Sequence, residues 1–416
     1  MPEEIKRKKL PAKSGKKKRS KRKLSFFRRF MKGLGRVFNL YYSYTTNPEE
    51  KENHIKPKLF GRAVTFAGFM AMMLALIVLV TLILNNRSVG VEHVNVVMAG
   101  LPDDFEGYRI LVISDLNGRS FGQDQSTLMR RLGSESYNCV VFLGDMVGKS
   151  GNTQPFYSLI NQLDGRKPMY FIAGDSDPAP VLAEPRESNG YLTLNEMVLD
   201  DWVLGAMELG CTYMDVPVKL TRGSSSLWLM PDTFLNLDLY KALDDYKSEL
   251  EQVNESYLEG VSVSRQALPL TTYRRNTLYK SHDLIPEISD DDIIIMLSHE
   301  VPADSQLTRA QEAMTEAQKK RFFAAPDLVL AGHYCGGEWK LPIIGTLYAD
   351  TNILPRYGWF PSETYVQGLR SVDGIQVYTT QGLGNNSRTV FTGRLNNPPR
   401  VTIITLTGEL PQSFLE

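Results

Sequence analysis

Residues 1–62 set scattered apolar positions among Lys and Arg, and then the chain enters one unbroken apolar run, Ala63 to Leu84 (AVTFAGFMAMMLALIVLVTLIL). The run has no charge, and threonine is its only polar side chain. As a helix rising about 1.5 Å per residue it would reach about 33 Å, enough to cross a hydrocarbon core. A buried core helix of that length would normally keep a polar face. Residues 63–85 are therefore expected to form a transmembrane helix.

From Val91 the rhythm changes. Apolar runs of strand length recur at Arg109–Ser114, Cys139–Leu143, Met169–Ala173, Ile293–Leu297, Leu328–Ala331, Ile375–Thr380 and Val401–Leu406. They are rich in Val, Ile, Phe and Tyr, which favour strands. Between them, amphipathic spacing predicts helices over Ser126–Leu132, Gln154–Leu163, Leu194–Leu209 and Ser305–Phe323. Strands interleaved with helices predict a layered α/β domain over 91–416. One stretch, Leu235 to Asp290, departs from this rhythm with a charged helical pattern and then a polar loop, and reads as an insertion at 235–290.

Charge divides the chain further. Its 47 basic and 47 acidic residues cancel, yet Met1–Arg62 alone holds 20 Lys and Arg against 5 Glu. Lys51, Lys56, Lys58 and Arg62 precede the apolar run, and only Arg87 closely follows it. The positive-inside bias makes this a single-pass protein of the cell membrane, with a cytoplasmic N-terminus and an extracytoplasmic C-terminal domain. A cleaved signal peptide fits poorly, because its basic region would be far too long and no A-x-A-like site follows. Lys6–Lys23 is too charged to fold alone. Leu24–Tyr42 mixes Phe, Leu and Tyr with Arg and Lys at helical spacing, which suits contact with anionic lipid; nucleic acid is the weaker reading of the tail. Only Cys139, Cys211 and Cys335 occur, so no disulfide framework is implied.

Chemistry collects where the apolar runs stop. The first ends in Asp115-Leu-Asn117-Gly118, the second in Gly144-Asp145, the third in Gly174-Asp175-Ser176-Asp177. The fourth ends in Ser298-His299-Glu300 and the fifth in Gly332-His333-Tyr334-Cys335-Gly336-Gly337. Residues just past strand C-termini meet at one edge of an α/β fold. Any one Asp there could be a helix N-cap, but five successive ends supplying Asp, Asp, Asp, His and His form a ligand set for one or two divalent ions such as Mn, Zn or Fe.

This series resembles the calcineurin-like metallophosphoesterases, whose motifs run D-x-H, G-D, G-N-H-D/E, a lone H and G-H-x-H. More narrowly, it looks like a membrane-associated bacterial branch, through Gly332–Glu338, Leu341-Pro342, Gly382-Leu-Gly384 and Asn397-Pro-Pro-Arg400. The resemblance runs from about Val91 to the C-terminus, apart from the insertion. It implies an α/β/β/α sandwich and hydrolysis of a phosphate mono- or diester at a two-metal site. Asp145 would bridge the metals. Asp175, His299 and His333 would complete one position with it, and Asp115, Asn117 and Cys335 the other.

Several residues depart from the family pattern. Asn117 stands where the family has a metal-binding histidine, and Asp175 where it has asparagine. Ser176 replaces the histidine that stabilises the transferring phosphate or protonates the leaving group. Cys335 replaces the second histidine of G-H-x-H, and Glu338 the usual Gln. An amide is a poor metal ligand, whereas a thiolate binds Zn or Fe(II) well. With Cys335 ionised, three aspartates and one thiolate would balance two divalent ions. Losing a positioned acid–base group costs about 10²–10⁴-fold in rate; His282 is the spare histidine nearest in sequence. The expectation is a membrane-anchored phosphoesterase of altered or reduced activity, with a lipid or envelope precursor as the substrate class that the anchor suggests. Two alternatives stay open: an inactive binding protein that kept the fold, and a chain whose basic tail is the functional part.

Overall fold

The computed structural model describes residues 68, 70–84, 88–188, 190–258, 262–289, 292–312, 325–349, 358–385 and 393–408. The chain divides into two units, Met1–Ile77 and Val78–Glu416. In the first, residues 70–77 are helical; the basic tail and its amphipathic segment lie outside the described residues. In the second, residues 78–84 are helical and precede the α/β domain. The expected span 63–85 is thus only partly described. Among the described residues no helix is long and apolar enough to cross a membrane, although the side chains of Leu79, Val80, Ile83 and Leu84 are all exposed.

Two six-stranded mixed sheets build the domain. The first contains β1 (Gly90–Val97), β2 (Arg109–Ile113), β3 (Cys139–Leu143), β4 (Met169–Ile172), β5 (Cys211–Tyr213) and β14 (Arg400–Thr407), in the order β1-β14-β2-β3-β4-β5. Here β2 to β5 run parallel, and β14 lies antiparallel to β2 and parallel to β1. The second contains β6 (Val218–Arg222), β7 (Ser225–Pro231), β8 (Ile293–Ser298), β9 (Leu328–Ala331), β12 (Gly368–Val372) and β13 (Ile375–Thr379), in the order β12-β13-β9-β8-β7-β6. A short antiparallel ladder joins β10 (Lys340–Leu341) to β11 (Gly345–Thr346).

Alternation along the central strands creates three apolar layers. Ile110, Val112, Val141 and Leu143 face Ile293, Ile295, Leu297 and Leu328 in the layer between the sheets. The opposite face of the first sheet, with Leu111, Ile113, Val140 and Phe142, is covered by α1 (Ser126–Leu132), α2 (Gln154–Gln162), α3 (Leu194–Val198) and α4 (Asp201–Glu208). Ile294 and Met296 of the second sheet pack under α5 (Leu239–Leu258), α6 (Ser262–Leu284), α7 (Asp304–Glu312) and α8 (Glu363–Val366). Strands buried on both faces read as continuous apolar runs, so each of the seven expected runs is a strand here.

Two expectations need correction. Leu194–Leu209 is two helices: Leu199 is extended, and the Asp200 carboxylate caps α4 by accepting from the Trp202 N–H at 3.2 Å. The expected polar loop of 235–290 is largely α6, a helix with Pro269 inside it, which sends Tyr273 and Leu278 into the core. Its apolar anchors are too sparse to show helical periodicity in the sequence. The second half of the helix expected over Ser305–Phe323 lies outside the described residues.

Candidate metal centre

Parallel strands from both sheets end at the same edge. Asp115 follows β2, Asp145 follows β3 and Asp175 follows β4; His299 follows β8 and His333 follows β9. The His299 Nε2 lies 3.0 Å from Asp175 Oδ1 and 3.4 Å from Asp145 Oδ1. The His333 Nδ1 lies 3.3 Å from the same Asp175 oxygen and 3.2 Å from His299 Nε2. Two groups of candidate ligand atoms result, Asp175–His299–His333 and Asp115–Asp145–His299, each with its atoms within 4.8 Å of one another.

Backbone strain concentrates here. Asp115, Asn117, Asp145, His333 and Cys335 all have positive φ, between 49° and 71°, a region that non-glycine residues enter at a cost and that often marks functional sites. The floor of the site is glycine. A Cβ on Gly174 would stand 2.2 Å from Asp145 Oδ1, and one on Gly144 (φ 82°) would stand 2.7 Å from His299 Nδ1. Asp145 and His299 can approach only because both positions lack a side chain.

Hydrogen bonds aim the ligand atoms. The Leu143 carbonyl accepts from His299 Nδ1 at 2.7 Å, which leaves Nε2 without its proton when the ring is neutral, the arrangement usual for metal-binding histidine. The Ser176 N–H donates to Asp145 Oδ1 at 2.8 Å, and the Ser114 hydroxyl donates to Asp115 Oδ2. Asp177 organises two loops together: its carboxylate accepts from Val147 N and Gly148 N at 2.8 Å and from Gly174 N at 2.9 Å.

Electrostatics follow this geometry. Burial raises the Asp115 pKa, and the Asp145 charge raises it further. Burial also opposes ionisation of Asp145 and Asp175, but hydrogen bonds from the histidines outweigh it and hold both below the usual carboxylate range. For the same reason His299 stands well above, and His333 above, the ordinary imidazole value despite burial. Protons on the histidines thus offset clustered carboxylates, a role a divalent cation would take over.

The residues fit such an ion. Asp115 Oδ1 is buried without a hydrogen-bond partner, an arrangement that is unfavourable unless a cation or donor meets it. Imidazole and carboxylate ligands together suit Zn, Mn or Fe(II). Asp115, Asp145, Asp175, His299 and His333 are brought together; Asn117 and Cys335 contribute differently. The Asn117 Nδ2 is buried without a partner. Cys335 is buried, and its sulfur belongs to neither ligand group. Burial, then the Asp115 charge, push its thiol well above the usual range, so these surroundings disfavour the thiolate that the sequence suggested. Ser176 is buried beside Asp145. His282 packs on the Tyr240 ring and lies 3.5 Å from Asp283.

Asp177 and Ser114 escaped the sequence reading as positioning residues. Asp177 stands two residues past a candidate ligand, but its partners are amides in a loop some thirty residues earlier, which no local spacing reveals.

Comparison with known proteins gives the chain a family. The family model described as calcineurin-like phosphoesterase matches residues 108–336, more than half the chain. A curated relative, phosphodiesterase YaeI of Escherichia coli (strain K12), is 32% identical over 80 residues, which is 19% of this chain and 25% of that protein. Among solved structures, phosphopantetheinyl hydrolase PptH from Mycobacterium tuberculosis matches at 13% identity with a TM-score of 0.31, covering 67% of this chain and 91% of that one. The chain belongs to the calcineurin-like phosphoesterase family.

Proposed function

We propose that this protein is a membrane-anchored, metal-dependent phosphoesterase that hydrolyses a phosphate mono- or diester outside the cytoplasm, with reduced turnover. The observation that carries this is the meeting of three aspartates from one sheet with two histidines from the other, within ligand distance. Asp145, Asp175, His299 and His333 would hold one divalent ion, and Asp115 and Asp145, with His299 adjacent, the second. Bound there, such ions supply Lewis acidity and charge stabilisation for displacement at phosphorus.

The chain's own groups fix the limits of the chemistry. The Leu143 carbonyl holds the His299 ring so that Nε2 faces the carboxylates. The Ser176 N–H holds Asp145. The Ser176 hydroxyl is too weak an acid to protonate a leaving group at neutral pH. Esters with acidic leaving groups are therefore the favoured substrates.

A second reading, a binding protein without turnover, is favoured by Asn117, by Ser176 and by Cys335, whose sulfur belongs to neither ligand group. Elemental analysis of the full chain in detergent, beside Asp145→Ala, separates the two when joined to an assay with bis(p-nitrophenyl) phosphate. Bound Mn, Zn or Fe and turnover, both lost in Asp145→Ala, are expected. A chain that binds no metal after supplementation with each ion, and turns over no ester, overturns the hydrolase.

A further inference from the structure

The domain is entered at the edge that carries the site. Gly90, the first residue of β1, pairs with Arg400, the first of β14, and donates its N–H to the Pro399 carbonyl at 2.9 Å. The Arg400 N–H in turn donates to the Gly382 carbonyl at 3.1 Å. Gly382 packs on Asp115, where a Cβ would stand 2.7 Å from Oδ2. Because β14 runs antiparallel to β2, its beginning lies beside the end of β2, where Asp115 sits. The apolar helical stretch 78–84 ends just before this entry, and the Ser88 N–H still closes on the Leu84 carbonyl at 3.1 Å. Residues 85–89, even fully extended, span only about 17 Å.

The same edge carries an apolar projection. Two residues past Glu338, β10 and β11 form a hairpin whose turn is Pro342-Ile343-Ile344. Its root is stitched to the segment that leads into β14: the Lys340 N–H donates to the Leu395 carbonyl at 2.9 Å, and the Leu395 N–H to the Glu338 carbonyl at 3.1 Å. Ile343 is fully exposed (107%) and Ile344 is 61% exposed. Trp359 and Phe360 flank the continuation of the hairpin, where the Phe360 N–H donates to the Leu347 carbonyl at 3.0 Å, and they are 45% and 48% exposed. Ile343 and Phe360 also sit at φ 71° and 51°, turn positions that glycine or asparagine would fill with less strain. Two isoleucines, a tryptophan and a phenylalanine held out from one edge suit the boundary between headgroups and acyl chains, where amphipathic rings and apolar tips are both accommodated. Arg400, whose side chain lies along Gly90, brings positive charge to that edge, complementary to anionic headgroups.

We infer that the site edge of this domain lies on the bilayer that receives residues 63–85, with Ile343, Ile344, Trp359 and Phe360 dipping into it, and that the phosphate ester is carried by a lipid of that leaflet. The substrate half of this inference rests on the phosphoesterase reading; the docking half does not.

The test uses the full chain in nanodiscs of phosphatidylcholine with a minor share of phosphatidylglycerol, with plain or brominated acyl chains. Trp202 and Trp228 are buried in the domain core and Trp339 is half-buried at the hairpin root, so the Trp359 component is read as the difference between wild type and Trp359→Phe. Bromine is expected to quench that component by about twofold or more, because the ring would lie at acyl depth. Ile343→Asp with Ile344→Asp is expected to relieve the quenching without changing the thermal melt, since both side chains are solvent-exposed. The same double variant is expected to lower turnover of the p-nitrophenyl ester of phosphatidate in the disc, a lipid diester with an acidic leaving group, by at least about tenfold while leaving soluble bis(p-nitrophenyl) phosphate unchanged. A Trp359 component indifferent to bromine overturns the docking, as does a double variant that merely separates two copies of the chain. Equal effects on both esters overturn the lipid substrate. If wild type cleaves neither ester, the phosphoesterase reading and the lipid substrate fall together, and quenching alone still decides the docking.

Discussion

Asp177 holds the site through backbone amides alone. By accepting from Val147, Gly148 and Gly174 it locks the loop that follows β3 onto the loop that follows β4, and these loops carry Asp145 and Asp175. An amide in its place keeps one accepting oxygen and turns the other contact into a clash of donors. Asp177→Asn is therefore expected to weaken Mn binding by about 10–100-fold, measured by calorimetric titration, with a smaller drop in melting temperature. Ser176 gives the opposite kind of test. Its N–H, not its side chain, holds Asp145, so Ser176→His keeps that contact and adds an acid. A rise in kcat of about 10²-fold is expected on phenyl phosphate, whose leaving group needs a proton, and much less on p-nitrophenyl phosphate. Equal rises on both would deny Ser176 the role of the missing acid.

At the level of elements, the strand ends work only because glycine lines them. Gly174→Ala drives a methyl group to within 2.2 Å of Asp145 Oδ1 unless the loop shifts. Such overpacking costs about 1–3 kcal/mol, expected as a lowered denaturation midpoint, and metal binding should fall with it. Strands β2, β3, β4, β8, β9, β13 and β14, and the Asp and His residues that end the first five, were legible in the sequence for one physical reason: a strand buried on both faces is a continuous apolar run, and a ligand just past it ends that run visibly. β7, buried between β8 and β6, was missed. β1 (GVEHVNVV) and β6 (VKLTR) were not legible, because partly exposed edge strands mix polar residues into the pattern. The break at Asp200 was hidden inside a helical period, and α6 was hidden because Tyr273 and Leu278 must serve most of a long polar helix. The contributions of Asp177 and Ser114 depend on contacts made only after folding.

Across the whole molecule, the candidate ligands divide between the two sheets, Asp115, Asp145 and Asp175 from one and His299 and His333 from the other. Their apolar contact layer already holds the sheets together. A bound ion adds a cross-link at one edge that only the folded state offers. Mn at a hundred times its dissociation constant is expected to add about 2.7 kcal/mol of stability, seen as a rise in melting temperature that chelation reverses and Asp145→Ala abolishes. A melt unaffected by metal would mean that the edge is closed by its histidine–carboxylate pairs alone.

The position of β14 has a consequence for the birth of the protein. It lies between β1 and β2, so these two strands cannot take their places in the sheet until β14, made long after them, has emerged from the ribosome. The first sheet is thus completed by its most distant partner, and pairing across such a separation is slow. During synthesis β1 waits with an open edge, and β2 lacks its neighbour on the same side. Nascent chains that stop short of Arg400 would leave both exposed, a state prone to aggregation and open to proteases. Quality control could then distinguish finished chains from unfinished ones by whether this one strand is in place.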